Sequence, residues 1–147
     1  MHDMTKFYIN GEWVEPVIPK KMEVHNPSSG EVCGHISLGS AADVDKAVIA
    51  ANNAFSTFST TTKKDRLELL QSILNILIER NEEIASAIME EMGAPWELAL
   101  NAQAESGPQQ FSAIIDVLKN FNFEEMVGTT CVAKEAIGTC ALITPWN

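Results

Sequence analysis

The residues able to do chemistry are few and scattered. Cys33, Cys131 and Cys140 are odd in number and form no Cys-x-x-Cys pair. Neither a disulfide framework nor a zinc site is expected, and the thiols should stay reduced. Cys131 and Cys140 have no neighbouring histidine or charge cluster to lower their pKa, so neither is assigned a catalytic role. His25 and His35 lie on β segments with no second metal-ligand pair. Glu82-Glu83 and Glu90-Glu91 could act as general acids or hold a cation, but a helix start favours negative charge and accounts for the first pair more simply. No metal site is therefore expected. The last residue, Asn147, closes the stretch "CALITPWN" with an uncharged amide. It follows what reads as a strand and a rigid turn, the place in an α/β fold where ligand sites begin.

The elements that must position these groups are legible in pieces. Phe7, Tyr8 and Ile9, the pair Asn10-Gly11, then Trp13 and Val14 predict a β-hairpin. "VHNPSSGEVCGHI" predicts another, turning at Pro-Ser-Ser-Gly. Both suit an exposed β arm. Ser40-x-x-Asp43 reads as a capping box before Val44, Ala47, Val48, Ala51, Phe55 and Phe58, one apolar helix face. Thr62-x-x-Asp65 repeats the cap ahead of Leu67, Leu70, Ile73, Leu74 and Leu77, and a further helix starts near Asn81. The Leu and Ile stripes read as core faces. Gly93 should end that helix, with Pro95 in the first turn of the next. Gly107-Pro108 predicts a kink or break, because an interior proline costs about 3 kcal/mol. Thr130 to Lys134 reads as a strand, Gly138 as a bend, and Thr139 to Ile143 as a strand covered on both faces in a parallel sheet.

Composition bounds the partners. The 147 residues carry a net charge of −10, which opposes binding to a phosphate backbone. The start has no signal-peptide core, and the apolar run from Leu69 to Ile78 is broken by Gln71, Ser72 and Asn75. Neither nucleic acid nor membrane is expected as a partner, and the location read from the sequence is cytoplasmic.

Taken together, "YINGEWV", "NPSSGEV", "DVDKAVIAANNAF" and "KEAIGTCALITPWN" resemble, in order, phrases of the NAD(P)-dependent aldehyde dehydrogenases. The likeness runs from about Phe7 to Asn147. It implies an α/β fold, the N-terminal part of that family's: a β-hairpin arm, a helical layer, then the first strands leading into an incomplete dinucleotide-binding sheet. Residues 7–147 would be a truncated cofactor-binding domain, with 1–6 a flexible lead. By resemblance Asn147 is the catalytic amide that donates to the oxyanion formed when a cysteine thiolate attacks an aldehyde. An amide suits the task, since it supplies donors without gaining or losing a proton. Ile143, Thr144 and Trp146 match cofactor-binding positions beside the nicotinamide ribose and ring.

The family nucleophile, which follows a Gly-Gln pair, its Glu-Leu-Gly-Gly base and its Gly-rich pyrophosphate turn have no counterpart in the 147 residues. The implied cofactor is NAD or NADP, not expected to bind this chain alone, and an aldehyde is the substrate only of a complete protein. Homo-oligomerisation, or association with a full-length relative through the β arm or an unpaired strand, are the assemblies the resemblance allows. Ala136 stands where the family commonly has proline, and Pro108 lies where its long helix usually has none. Some members hold a monovalent cation on backbone carbonyls at positions aligning with Val24, His25 and Glu91.

Overall fold

In the computed structural model, residues 2–144 are described. The stretch 1–6, expected to be a flexible lead, contributes β1 (His2–Met4), which runs parallel to a later strand. The first hairpin forms as the sequence predicts: β2 (Phe7–Ile9) and β3 (Glu12–Val14) pair with Tyr8 opposite Trp13. Its turn places Asn10 at φ 54° and Gly11 at φ 81°, the two positive angles that a type I′ turn demands. β4 (Lys21–His25) and β5 (Val32–Ser37) form the second antiparallel pair, with a register shift between Val24 and His25. Gly30, at φ 75°, closes that turn by donating its N–H to Asn26 O at 2.7 Å. With β1 added, the sheet order is β1-β5-β4.

Both capping boxes hold their helices. Ser40 donates its N–H (2.8 Å) and hydroxyl (2.7 Å) to Asp43 Oδ2 at the start of α1 (Ala41–Phe58). Thr62 does the same to Asp65 Oδ2, at 2.8 and 2.7 Å, at the start of α2 (Lys63–Glu79). Arg80 alone separates α2 from α3 (Asn81–Met92), and Gly93, at φ 70°, stops α3 in the left-handed conformation that glycine favours.

Beyond Gly93 the backbone differs in detail from the sequence reading. Pro95 caps the short α4 (Trp96–Leu98) from outside rather than filling its first turn. A π-helical segment (Ala99–Ala104) follows, then α5 (Ser106–Asn120). The expected break at Gly107-Pro108 thus lies a turn earlier, in the π segment. Restarting at Ser106 puts Pro108 in the first turn of α5, where its missing N–H costs nothing.

The best-covered residues are small. Ala85 and Ala99 are fully buried and Ala104 nearly so, which lets α3 and the π-helix approach closely, with Ile84, Ile88 and Leu100 packed around them. Leu74 of α2 and Ile115 of α5 are buried where those two helices pack. The α1 stripe behaves otherwise. Val44, Val48 and Phe58 are exposed, and only Phe55 is half-buried, so this face is not a core face among the described residues. An amphipathic pattern states which side wants cover; it does not supply the covering element.

β6 (Glu124–Val127) and β7 (Thr130–Ala133) form a hairpin turned by Gly128 at φ 64°, with every strand residue exposed. The strand expected at Thr139 to Ile143 does not form: residues 134–144 belong to no ladder. A strand destined for cover on both faces has nothing to pair with here. Among the described residues no helix is long and apolar enough to cross a membrane.

Candidate functional site

The segment expected to carry the site runs extended after β7. Gly138 bends it at φ 106°, and the Thr139 hydroxyl donates to Asn52 Oδ1 of α1 at 2.6 Å. Past that tether Leu142 and Ile143 are 85% and 94% exposed, and Thr144 is exposed beside them. Trp146 and Asn147 lie outside the described residues. Of the four residues that the sequence singles out, Ile143 and Thr144 are therefore placed, adjacent and facing solvent.

The remaining candidates resolve into ordinary roles. All three cysteines are free: Cys33 donates its thiol to Val24 O at 3.3 Å, while Cys131 and Cys140 are exposed. His25 Nε2 lies 3.2 Å from Glu23 Oε2 on the same strand. Glu83 pairs with Arg80 at 2.8 Å, and this hydrogen bond and charge hold its carboxyl below the usual range. Among the described residues no group of three His, Cys, Asp or Glu could hold a metal ion. Val24 and Glu91, two of the three positions aligned with a cation site, line a cleft of about 510 Å³ between the β4–β5 pair and α3. The third, His25, does not line it.

A larger groove, of about 690 Å³, opens where the start of α2 meets the chain on either side of the β6–β7 hairpin. Lys63 Nζ donates to Lys119 O (2.9 Å) and Phe121 O (3.2 Å), closing the end of α5. Arg66 donates from Nε to the Thr61 hydroxyl (3.0 Å) and from Nη2 to Ser59 O (3.1 Å), closing the end of α1. Helix C-termini present unsatisfied carbonyls and partial negative charge, so these cations stabilise helices other than their own. The sequence reading passed over them. The signal was there: positive side chains in the opening turns of α2 stand against that helix's own dipole, which points to a partner elsewhere.

The model of the aldehyde dehydrogenase family matches residues 13–147. The chain belongs to the aldehyde dehydrogenase family. It is 47% identical to a 3-succinoylsemialdehyde-pyridine dehydrogenase of a Pseudomonas species, over the whole of this chain and 31% of that protein. A putative aldehyde dehydrogenase of Staphylococcus aureus (strain bovine RF122 / ET3-1) is also 47% identical over the same shares. Among solved structures it resembles aldehyde dehydrogenase C of Pseudomonas syringae, crystallised with NAD+ and octanal, at 42% identity and a TM-score of 0.94. That match covers 97% of this chain and 29% of that one. This aldehyde dehydrogenase chain thus spans about 31% of the length of the curated relatives it matches.

NAD(P) is the cofactor of the family, and the Pseudomonas syringae relative is crystallised with NAD+. Ile143 and Thr144 line neither the cleft nor the groove.

Proposed function

We propose that this chain serves as the N-terminal part of an NAD(P)-dependent aldehyde dehydrogenase, and that the 147 residues alone do not turn over. The observation that carries the reading is the likeness to a dehydrogenase holding NAD+ and octanal, TM-score 0.94 at 42% identity, over only 29% of that protein. In this reading Asn147 donates its amide N–H to the oxygen that becomes negative as the aldehyde carbonyl is attacked. Ile143, Thr144 and Trp146 border the nicotinamide end of the cofactor. The attacking thiolate and the base belong to other parts of the fold, since Cys33 is spent on Val24 O and neither Cys131 nor Cys140 stands in the family's Gly-Gln-x-Cys context.

The purified chain, incubated with an aldehyde panel that includes octanal and with either nucleotide, should give no reduced nicotinamide. Reproducible formation that scales with protein concentration overturns the claim that it is inactive alone.

A second reading is favoured by the exposure of Ile137, Leu142 and Ile143, at 92%, 85% and 94%. In it the chain is an interaction protein whose unpaired apolar segment adds to the sheet of a full-length relative. Co-expression with such a relative and a size-exclusion mass measurement decides this: a mixed species supports it, and separate elution at micromolar concentration removes it.

A further inference from the structure

The groove at the start of α2 runs against the charge of the rest of the molecule. The chain has 20 acidic and 10 basic residues, yet Lys63, Arg66 and Lys134 line this groove against one acid, Glu135. Among the described residues Lys63 and Arg66 make no ion pair, and their hydrogen bonds go to neutral oxygens. Lys134 reaches Glu125 at 3.8 Å, a half-exposed pair that solvent screens. The ends of α1 and α5 bring partial negative charge to the groove and the start of α2 partial positive charge. Lys63 and Arg66 thus remain the wall's cations without a carboxylate partner among the described residues.

Donors are left as well as charge. A guanidinium offers five N–H groups, and Arg66 uses Nε and one hydrogen of Nη2, leaving Nη1 and the outer Nη2 hydrogen as a fork. Lys63 uses two of its three. Beside this fork stands an apolar wall. The rings of Phe121 and Phe123 meet edge to face, with centroids 4.9 Å apart. Arg66 Cζ lies over the Phe123 ring, 5.5 Å from its centroid, and Lys134 Nζ over the Phe121 ring at 5.1 Å, so each cation sits on a ring face beside the other ring. The volume, about 690 Å³, lies in the range of small-molecule sites.

We infer that this groove binds a small organic monocarboxylate, with its carboxylate on Arg66 and Lys63 and its apolar body against Phe121 and Phe123. A planar carboxylate matches the free fork of Arg66 in shape. A phosphate dianion brings no apolar body for the rings.

The test is an amide NMR titration of the whole chain with benzoate and octanoate, with benzamide and inorganic phosphate as comparison probes. Saturable shifts confined to residues near 59–66, 121–123 and 134–136 are expected with the two carboxylates, at millimolar affinity. Benzamide and phosphate should each bind about tenfold more weakly or not at all. Arg66→Lys, which keeps the charge and loses the fork, should weaken benzoate about tenfold, and Lys134→Met about fivefold. Among the described residues Lys134 Nζ donates only to Asn122 O at 3.3 Å, past the last residue of α5, and the variant's spectrum away from the groove verifies that the fold is kept even if Arg66→Lys unfolds. Unsaturable shifts, benzamide binding as well as benzoate, phosphate binding as well as benzoate, or an unchanged affinity in Lys134→Met each overturn the assignment.

Discussion

Val17 donates its backbone N–H to Asp43 Oδ1 at 2.9 Å, across a separation of 26 residues. The carboxylate that Ser40 holds as a helix cap therefore also fixes the chain leaving the first hairpin, so one side chain joins the β arm to the helical layer. Hydrogen bonds from the Ser40 side chain, the Ser40 backbone and the Val17 backbone, in that order, hold the Asp43 carboxyl below its ordinary value of 3.8. A carboxyl lowered on folding adds stability that is present above the unfolded value and is lost as pH falls through the folded one. Urea midpoints should thus be flat from neutrality down to about pH 4 on account of this group, and drop below it. Asp43→Asn should lower the midpoint at neutral pH and shrink the acid drop; equal pH profiles in the two proteins would remove Asp43 from this role.

Gly93→Ala meets two obstacles at once. The residue sits at φ 70°, which an L side chain adopts only with strain, and an added Cβ would stand 2.8 Å from Pro27 Cγ in the β4–β5 turn. Strain of this kind costs about 1–3 kcal/mol, before the ring of Pro27 is displaced. Thermal unfolding should fall by several degrees at least, whereas Gly128→Ala, with positive φ but open space around it, should cost less. Equal losses would show that the contact with Pro27 carries no weight.

Ala85→Leu tests the close approach of α3 to the π-helix. Ala85 and Ala99 are both fully covered, so added methyl groups have no free volume to enter. Overpacking of this sort costs about 1–3 kcal/mol. Chemical denaturation should show the loss, with Ala47→Leu on the exposed side of α1 as the neutral control.

How far the sequence foretold this arrangement depends on whether the signal was local. Asn10-Gly11, Ser40 with Asp43, Thr62 with Asp65, and Gly93 act through turns and caps that a few neighbouring residues decide, and each is in place. Where a second element was required, the pattern misled. Val44, Val48 and Phe58 form a stripe that nothing described covers, and Thr139 to Ile143 has strand composition without a strand to pair with. β6 was invisible because Glu124 and Glu125 weaken its apolar signal, and its pairing with β7 decides the matter. The core was hidden for a related reason. Ala85, Ala99 and Ala104 carry little hydrophobicity individually and matter because helices approach across them. At the site, Ile143 and Thr144 were marked by likeness alone, whereas Lys63 and Arg66 were readable as cations in the wrong turns of a helix.

Lys63 joins the start of α2 to the end of α5 through two carbonyls, Lys119 O and Phe121 O. Lys63→Met keeps the stem and removes the donors, leaving both carbonyls to water. Because the ammonium is exposed, the loss should be about 0.5–1.5 kcal/mol rather than that of a buried pair. Hydrogen exchange should quicken in the last turn of α5 while the core of α3 keeps its protection; uniform quickening would mean that the bond is not a local clasp.

The role proposed for Asn147 is decided in a chimera, with these 147 residues replacing the matching 31% of the Staphylococcus aureus relative, to which they are 47% identical. If the amide donates to the developing oxyanion, its hydrogen bond strengthens only as the carbonyl is attacked, so its loss should fall on kcat rather than on KM. Asn147→Ala in the chimera should reduce kcat by about 10²–10³, the scale of removing one preorganised oxyanion donor. Asn147→Asp is the sharper variant. It has nearly the same shape but presents acceptors and a negative charge to an oxygen that is itself becoming negative, so it should be at least as damaging as alanine. A rise in KM with kcat intact, or an aspartate variant close to the parent in rate, would assign the residue to ground-state packing instead.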